Sequence, residues 1–579
     1  MRLRGPAEAA AVWFAAILLA CVFTYPYAFE FSTGGRIDTN DGRWSIWVVT
    51  WVAHALTSNP LGVYQANIFY PHQNALAFSE GNLVGGAMGI PAWLLTHNPY
   101  ATHNFVFILS FVLSTVATYY LVRHLTGDRR AAAVAGVLFA YCPYAFARQA
   151  HSQLLLIGFL PWSMLAFHRF IARRSAARAI ELGVVLWLTG LACAYYGLFA
   201  GGMVAAGSLL LAATRGYWRD TRYWMLVALA AGVCIGLTAP LFLPYLEIQQ
   251  ETGFARSLDD ARIYSANLGA WLASSSWLHR WLVPYLQPPY MQSFSEVLFP
   301  GVLAVVLGTW GAWIGLRRSH RGTGGTKVPP FWHPWQEPPI GHADAVQPRA
   351  IPRDIIWMYG LIAIVAFWTT FGPDAGLYTL LHNTVPVFSF LRAPSRTGIV
   401  VTLCLVVLAA PALIRLMSGR RANLALAALL LLATGDLYRA PLRTREAPPL
   451  PHVYDTLARL PRGPVIEFPY WADRPSYPRH AEYMLSSAAH WQPLINGYSD
   501  HIPTAFRETA LPLSTFPSPE AFAILEPLAA RYAVFHLDLM DRQTRESLIE
   551  RIEVTYRDYL RPIDKDGDTW LFEIVGWPR

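Results

Sequence analysis

Residues 34–44 read GGRIDTNDGRW. The stretch follows an apolar run over about 9–29 and leads into the aromatic, amphipathic segment DGRWSIWVVTWVAHAL at 41–56. Asp38, Asn40 and Asp41 fall within four positions, where the chain leaves one environment for another. If the preceding run crosses a bilayer, these carboxylates lie just beyond the apolar layer. The reading of the fold therefore turns on whether 9–29 is the first of many spans.

Composition says that it is. The chain has 579 residues, 54% hydrophobic and only 14% charged, with a mean hydropathy of +0.30. Soluble domains carry about 25% charged residues. The 22 Trp and 28 Tyr suit a broad interfacial belt. A crossing helix needs about 20 apolar residues. Eleven candidates occur, at roughly 9–29, 101–122, 131–146, 153–171, 180–194, 197–213, 223–245, 298–316, 355–371, 396–417 and 422–437. Between the fifth and sixth, Tyr195-Tyr196-Gly197 reads as a turn. The 9–29 run is long and lacks an A-x-A cleavage pattern, so it reads as a retained anchor.

The net charge of +8 does not point to nucleic acid, because Lys and Arg sit in short loops between apolar runs. Arg2 and Arg4, then Arg123–Arg130, Arg169–Arg178, Arg215–Arg222, Arg317–Lys327 and Arg415–Arg421 make every second loop basic. This places the N-terminus in the cytoplasm and the loop at 30–100 outside. The five cysteines lie in apolar runs without a CxxC pair, which argues against disulfides and structural zinc. Residues 317–352, rich in Pro, Gly and His, read as a flexible cytoplasmic loop.

From 441 charge rises and long apolar runs stop. Strand-like runs appear at GPVIEFPY (463–470), RYAVFHLD (531–538), IEVTYRDY (552–559) and TWLFEIVG (569–576), with helical patterns opened by Ser518 and over 541–552. The expected fold is an α-helical polytopic membrane domain over 1–440 and a small external α/β domain over 441–579.

The middles of the spans hold almost no charged residues, which weakens an ion-coupled transport reading. Polar residues collect outside instead. Helix 41–56 is expected to lie along the interface with Trp44, Trp47 and Trp51 as anchors. Each candidate has a plain structural role beside a chemical one: Asp41 as helix N-cap, Asp38 and Asn40 as turn formers, Glu80 as cap of the next helix. Together, Asp38, Asp41, Glu80 and His72 suggest a general base, or hard oxygen ligands for a divalent cation such as Mg or Mn. Arg148, His151 and Gln153 occupy the tight turn RQAHSQ, and Arg392 and Arg396 the stretch SFLRAPSR. Basic residues on an outer face suit an anionic partner such as a lipid phosphate. Tyr195 and Tyr196 offer rings for a sugar or a membrane belt.

An Asp soon after the first span, WVAHAL, NIFYPHQNALAFSE, and HSQ before a Pro-containing span together resemble bacterial multi-pass proteins related to the GT-C glycosyltransferase superfamily. PVIEFPYW (464–471) and HWQPLINGYSDHIP (490–503) look like that group's external region, also similar to YfhO-type membrane proteins. The resemblance implies a hexosyl- or pentosyltransferase in the cytoplasmic (inner) membrane. Its donor would be a sugar on polyprenyl phosphate, used at the outer face, and its acceptor an envelope glycan, lipid or protein. The group's Gly-Asp-Pro motif falls here on Asn40-Asp41-Gly42, which favours Asp41 as base, with Asp38 an extra carboxylate. Glu80 matches the second acidic position; His72, His151 and Gln153 match polar ones. The alternatives are a non-catalytic protein that binds lipid-linked glycan intermediates, or a lipid or polymer transporter.

Overall fold

The computed structural model describes residues 5–253, 256–286, 297–317, 350–385, 388 and 391–578. The loop expected over 317–352 lies outside the described residues except at its ends.

The first half of the chain is a run of helices: α1 (Gly5–Phe23), α2 (Asn40–Ser58), α3 (Leu83–Thr96), α4 (Pro99–Thr126), α5 (Arg129–Ala140), α6 (Pro143–Ala147), α7 (Ser152–Leu155), α8 (Phe159–Ala172), α9 (Ala176–Ala192), α10 (Ala194–Thr214) and α11 (Thr221–Thr252). Helices Val302–Arg317, Arg353–Thr370, Gly398–Leu408, Ala410–Leu416 and Ala422–Leu437 complete the helical body. Among the described residues, six segments are long and apolar enough to cross a membrane: α1, α4, Arg129–Ala147, α10, α11 and Pro394–Leu416. Outward side chains such as Phe14, Met225, Ile235 and Leu431 are apolar and exposed. So much uncovered apolar surface is tolerated in lipid, not in water. The protein is an integral membrane protein.

Local chemistry closes the helix ends. Asp128 caps α5, accepting from the Arg130 and Ala131 amides at 2.8 Å, after Gly127 has ended α4 in the left-handed conformation (φ 70°). At one end of the body the expected basic loops find carboxylates: Arg123 and Arg129 meet Glu8, Arg169 meets Glu181, Arg174 meets Asp220, and Arg215 meets Asp354. The break between α9 and α10 falls at Cys193, whose backbone is extended (φ −160°, ψ 125°), rather than at 195–197. Tyr195 and Tyr196 belong to the first turn of α10 and are buried, not outward-facing. Gly197 stays helical and lets the two helices touch: a Cβ there would come within 2.5 Å of the Gly190 Cα.

The other end of the body carries the first loop and residues 438–578. Short strands β1 (Gly34–Gly35) and β2 (Arg445–Glu446) pair antiparallel and tie the two together. Beyond them, β3 (Val465–Phe468), β4 (Tyr532–His536), β5 (Leu560–Asp566) and β6 (Thr569–Ile574) form one sheet in the order β3-β4-β6-β5, parallel only at β3-β4. IEVTYRDY is not a strand. Residues Arg551–Thr555 make a π-helical turn after helix Arg542–Glu550, and the strand follows at β5. Gly567-Asp568 then turns the β5-β6 hairpin, with Gly567 at φ 56°.

The first loop and the C-terminal region share one hydrophobic core. It contains Trp44, Trp47 and Trp51 of α2 together with Phe468, Phe506, Phe535 and Phe572. The amides of Phe69 and Tyr70 donate to the Asn496 and Leu494 carbonyls at 3.0 and 2.8 Å, so backbone hydrogen bonds fasten the loop to residues 494–496. The three tryptophans are therefore not membrane anchors. Trp47 is 1% exposed, and the Trp51 indole donates to the Val63 carbonyl at 2.9 Å. An amphipathic aromatic helix suits a bilayer surface or a protein core equally, and here protein covers it.

Candidate functional site

The turn at 34–42 is held from three sides. The Asn104 amide donates to the Gly34 carbonyl at 2.8 Å. Ile37 packs with Ile46 and Leu485. Gly42 lies flat against the Arg36 carbonyl, where a Cβ would sit 1.7 Å from the oxygen. Thr39, not Asp41, is the N-cap of α2: its hydroxyl accepts from the Gly42 amide at 3.1 Å. Asp41 is thereby left in the first helical turn with its carboxylate free to face elsewhere.

The two aspartates part company. Asp38 pairs with the Arg36 guanidinium at 2.8 Å, and Arg36 in turn donates to Gln149 at 3.1 Å. Asp38 also borders a cavity of about 390 Å³, with Asn40, Arg43, Trp471, Arg479 and Glu482 in its wall. Asp41 turns toward the helical body. Its Oδ1 accepts a long hydrogen bond (3.4 Å) from the Tyr498 hydroxyl, and its Oδ2 lies 3.6 Å from His151 Nε2.

Around Asp41 the arginines converge. Arg392 pairs with Asp500 at 2.7 Å, and Arg256 binds the other Asp500 oxygen. Arg396 lies over the Tyr195 ring, 4.3 Å from its centroid, and Arg148 over Tyr144 at 4.9 Å. The Arg396 Nε is buried without a hydrogen-bond partner, and no carboxylate among the described residues pairs with this guanidinium. Glu80 reaches from the first loop to the N-terminus of α10 and accepts from the Ala194 amide, with Gln153 and Cys193 beside it. It caps α10, not the helix that follows it in sequence.

These positions set the charges. Half of the Asp41 side-chain surface is accessible, yet protein surrounds the recess it opens on, and that confinement raises its pKa above the ordinary carboxylate value. Arg392, the Tyr498 hydroxyl and Arg396 offset part of the rise, whereas Asp500 adds to it. Burial likewise raises Glu80, against the pull of the Ala194 amide and Arg396. Burial opposes ionisation of Asp500, but Arg392 and Arg256 outweigh it and hold the carboxyl low. Burial and the repulsion of Arg396, Arg148 and Arg392 push His151 down to about 3. His151 is neutral at physiological pH, so its contact with Asp41 is not an ion pair, and at 3.6 Å it is too long for a direct hydrogen bond.

Of the residues singled out in the sequence, Asp41, Glu80, Arg148, His151, Gln153, Arg392 and Arg396 thus share one recess and its floor. Tyr196 lies behind it, its hydroxyl donating to the Leu154 carbonyl at 2.6 Å. Asp38 faces the cavity. His72 meets the Phe78 ring edge-on at 5.9 Å, and among the described residues no hydrogen bond or ion pair joins it to Asp41. Tyr498, Asp500 and Arg256 belong to the site and were not singled out. Tyr498 and Asp500 stood inside HWQPLINGYSDHIP, where a charged pair beside an apolar run was the available signal.

A divalent cation asks for about six oxygen ligands. Among the described residues no group of three or more His, Cys, Asp or Glu side chains converges. Asp41 and Glu80 both feel the charge of the Arg396 guanidinium, though neither forms an ion pair with it. No metal site is shown among the described residues.

No family model and no curated protein matches the sequence. Solved structures do. The arabinofuranosyltransferase AftD from Mycobacteria superposes with a TM-score of 0.55 at 14% identity, over 99% of this chain and 42% of that one. It has a GT-C glycosyltransferase fold. The Archaeoglobus fulgidus oligosaccharyltransferase, solved in complex with Zn and sulfate, aligns over 95% of this chain and 71% of its own at 14% identity (TM-score 0.46). ArnT from Cupriavidus metallidurans, bound to undecaprenyl phosphate, aligns over 98% and 99% at 12% identity (TM-score 0.36). The GT-C likeness to AftD covers nearly all of this chain but less than half of that larger protein.

Proposed function

We propose that the protein is a membrane glycosyltransferase. It moves a sugar from a polyprenyl-phosphate donor to a hydroxyl of an envelope glycan, lipid or protein acceptor. The observation that carries this reading is Arg396: a guanidinium in the floor of the recess, without a carboxylate partner and with a buried, unbonded Nε, beside a carboxylate of raised pKa. A cation left without a counter-ion suits a ligand that brings its own negative charge, such as a lipid phosphate.

In the proposed reaction Asp41 takes the proton from the acceptor hydroxyl as its oxygen bonds to the anomeric carbon. The bond from that carbon to the phosphate oxygen breaks, and the electron pair leaves with the polyprenyl phosphate. Arg396, Arg392 and Arg148 meet the developing charge. Neutral His151 flanks Asp41 and helps to orient the hydroxyl as it approaches that carboxylate. Glu80 holds the start of α10, and with it Tyr195 under Arg396. No step is routed through a metal.

In this reading residues 1–440 span the cytoplasmic membrane with the N-terminus inside, and 441–579 lie outside as an α/β domain that closes the recess through Tyr498 and Asp500. The test is transfer of labelled sugar from a polyprenyl-phosphate donor by the purified chain. Asp41→Asn abolishes it while donor binding persists. Full transfer by Asp41→Asn refutes the assignment and leaves the non-catalytic, lipid-binding reading.

A further inference from the structure

A second group of arginines makes no ion pair or hydrogen bond with Asp41 among the described residues. Arg280 and Arg439 share one indole: their guanidinium carbons stand 4.3 and 5.1 Å from the Trp277 ring centroid. Trp277 is fixed by its own backbone and ring, which donate to the Tyr438 carbonyl at 3.0 Å and the Ala440 carbonyl at 2.8 Å. Arg443 adds a third charge near Arg439. Among the described residues none of the three pairs with a carboxylate. Asp436, three residues before Arg439, is engaged elsewhere: it lies 3.0 Å from His279 and accepts from the Leu303 amide at 3.1 Å. Burial and the repulsion of Arg280, Arg443 and Arg36 lower Arg439 to about 10. The mutual repulsion of such like charges is relieved when an anion binds among them.

The surroundings say where the counter-ion resides. Leu268, Leu272, Leu278 and Trp281 of the same segment are exposed, as are Leu431 and Leu432 in the helix that ends just before Arg439. The cluster therefore sits where an apolar, lipid-facing surface meets water. It stands at the end of the body opposite Arg420 and Arg421, against the trend of the basic loops.

We infer that Arg280 and Arg439 over Trp277, with Arg443 near Arg439, bind the phosphodiester headgroup of an anionic membrane lipid at the rim of the helical body. The guanidiniums supply paired donors to the phosphate oxygens, the indole lies at headgroup level, and the exposed leucines line the acyl chains. The site is separate from the Asp41 recess and holds a lipid as a neighbour of the protein, not as donor.

The test is native mass spectrometry of the delipidated full-length protein, offered phosphatidylglycerol and phosphatidylcholine in equal amounts. Wild type should retain phosphatidylglycerol preferentially. Arg280→Ala and Arg439→Ala should each cut that preference about fivefold, and Arg439→Lys should restore part of it. Asp41→Asn should leave it untouched, which separates this site from the proposed reaction. Excess inorganic phosphate should not displace the lipid. Equal retention of the two lipids by wild type, an unchanged preference in the folded Arg280→Ala/Arg439→Ala protein, or full displacement by inorganic phosphate each overturns the inference.

Discussion

Asp38 and Asp41 sit on either side of the first turn of α2, and the chain treats them oppositely. On one side Asp38 has a close guanidinium partner, Arg36, which is itself held by Gln149. On the other, Asp41 has one long hydrogen bond and a neutral imidazole, while the arginines opposite it are held by Asp500 or stand over tyrosines. A satisfied ion pair gives structure; an unsatisfied carboxylate facing an unsatisfied cation is a site prepared for something else. The two sides can be told apart by breaking each in turn.

The largest effect should come from Asp41→Asn. Loss of a general base costs about 10²–10⁴-fold in rate. Stability should move the other way. The Asp41 pKa is raised in the folded state, so above the unfolded value of about 3.9 the ionised carboxylate works against folding. The neutral amide removes that opposition. Sugar transfer lost together with an unchanged or higher melting temperature is the expected pair of results; a protein that loses activity by unfolding would break the comparison.

Gly42→Ala should come next. The added Cβ would lie 1.7 Å from the Arg36 oxygen, so the turn has to open and both aspartates shift. Overpacking of this kind costs about 1–3 kcal/mol, and displacement of a base by an ångström costs about 10²-fold in rate. Gly232→Ala, in α11 with nothing near its Cβ, is the control and should be silent in both assays.

Arg396→Gln should weaken the donor by about 10–100-fold, the worth of a lost charged hydrogen bond, seen as a raised KM. Asp38→Asn is the mirror experiment. A partly exposed ion pair contributes about 0–1 kcal/mol, so transfer should stay within a fewfold of wild type. If Asp38→Asn proves as damaging as Asp41→Asn, the two sides of the turn act as one site.

How far the sequence alone reaches is visible in the same residues. Apolar run lengths pointed to a helical membrane body, because a span must satisfy its backbone internally and so leaves a long uninterrupted signature; among the described residues six of the helices are long and apolar enough to cross. Alternating basic loops located the helix ends that Glu8, Glu181, Asp220 and Asp354 close. The tryptophans of α2 were misread because their cover, including Trp491, arrives some 440 positions later in the chain. Periodicity reports that a face is apolar, not what lies against it. IEVTYRDY was misread since β-branched and aromatic residues at a helix end mimic a strand. Within the site, the pairing of Arg36 with Asp38 was within reach as a two-residue spacing. The Asp500 bridge between Arg392 and Arg256 was not, because it depends on how the C-terminal region docks.

Tyr498→Phe should give the smallest change and the most specific one. The Tyr498 hydroxyl donates to Asp41 and so favours the ionised carboxylate; it lowers a pKa that burial has already raised. Removing it should raise that pKa further. As a base Asp41 must be ionised, so transfer is full at high pH and is lost as pH falls through the Asp41 value. The acid limb of the kcat/KM profile should therefore stand above the ordinary carboxylate value of about 3.9 in wild type, and move to still higher pH in Tyr498→Phe. The plateau at high pH should hardly change, because the donor cations are intact. A plateau that collapses with an unmoved acid limb would mean that Tyr498 supports the substrate rather than the base, and that the C-terminal region contributes to the cationic side of the recess instead of to Asp41.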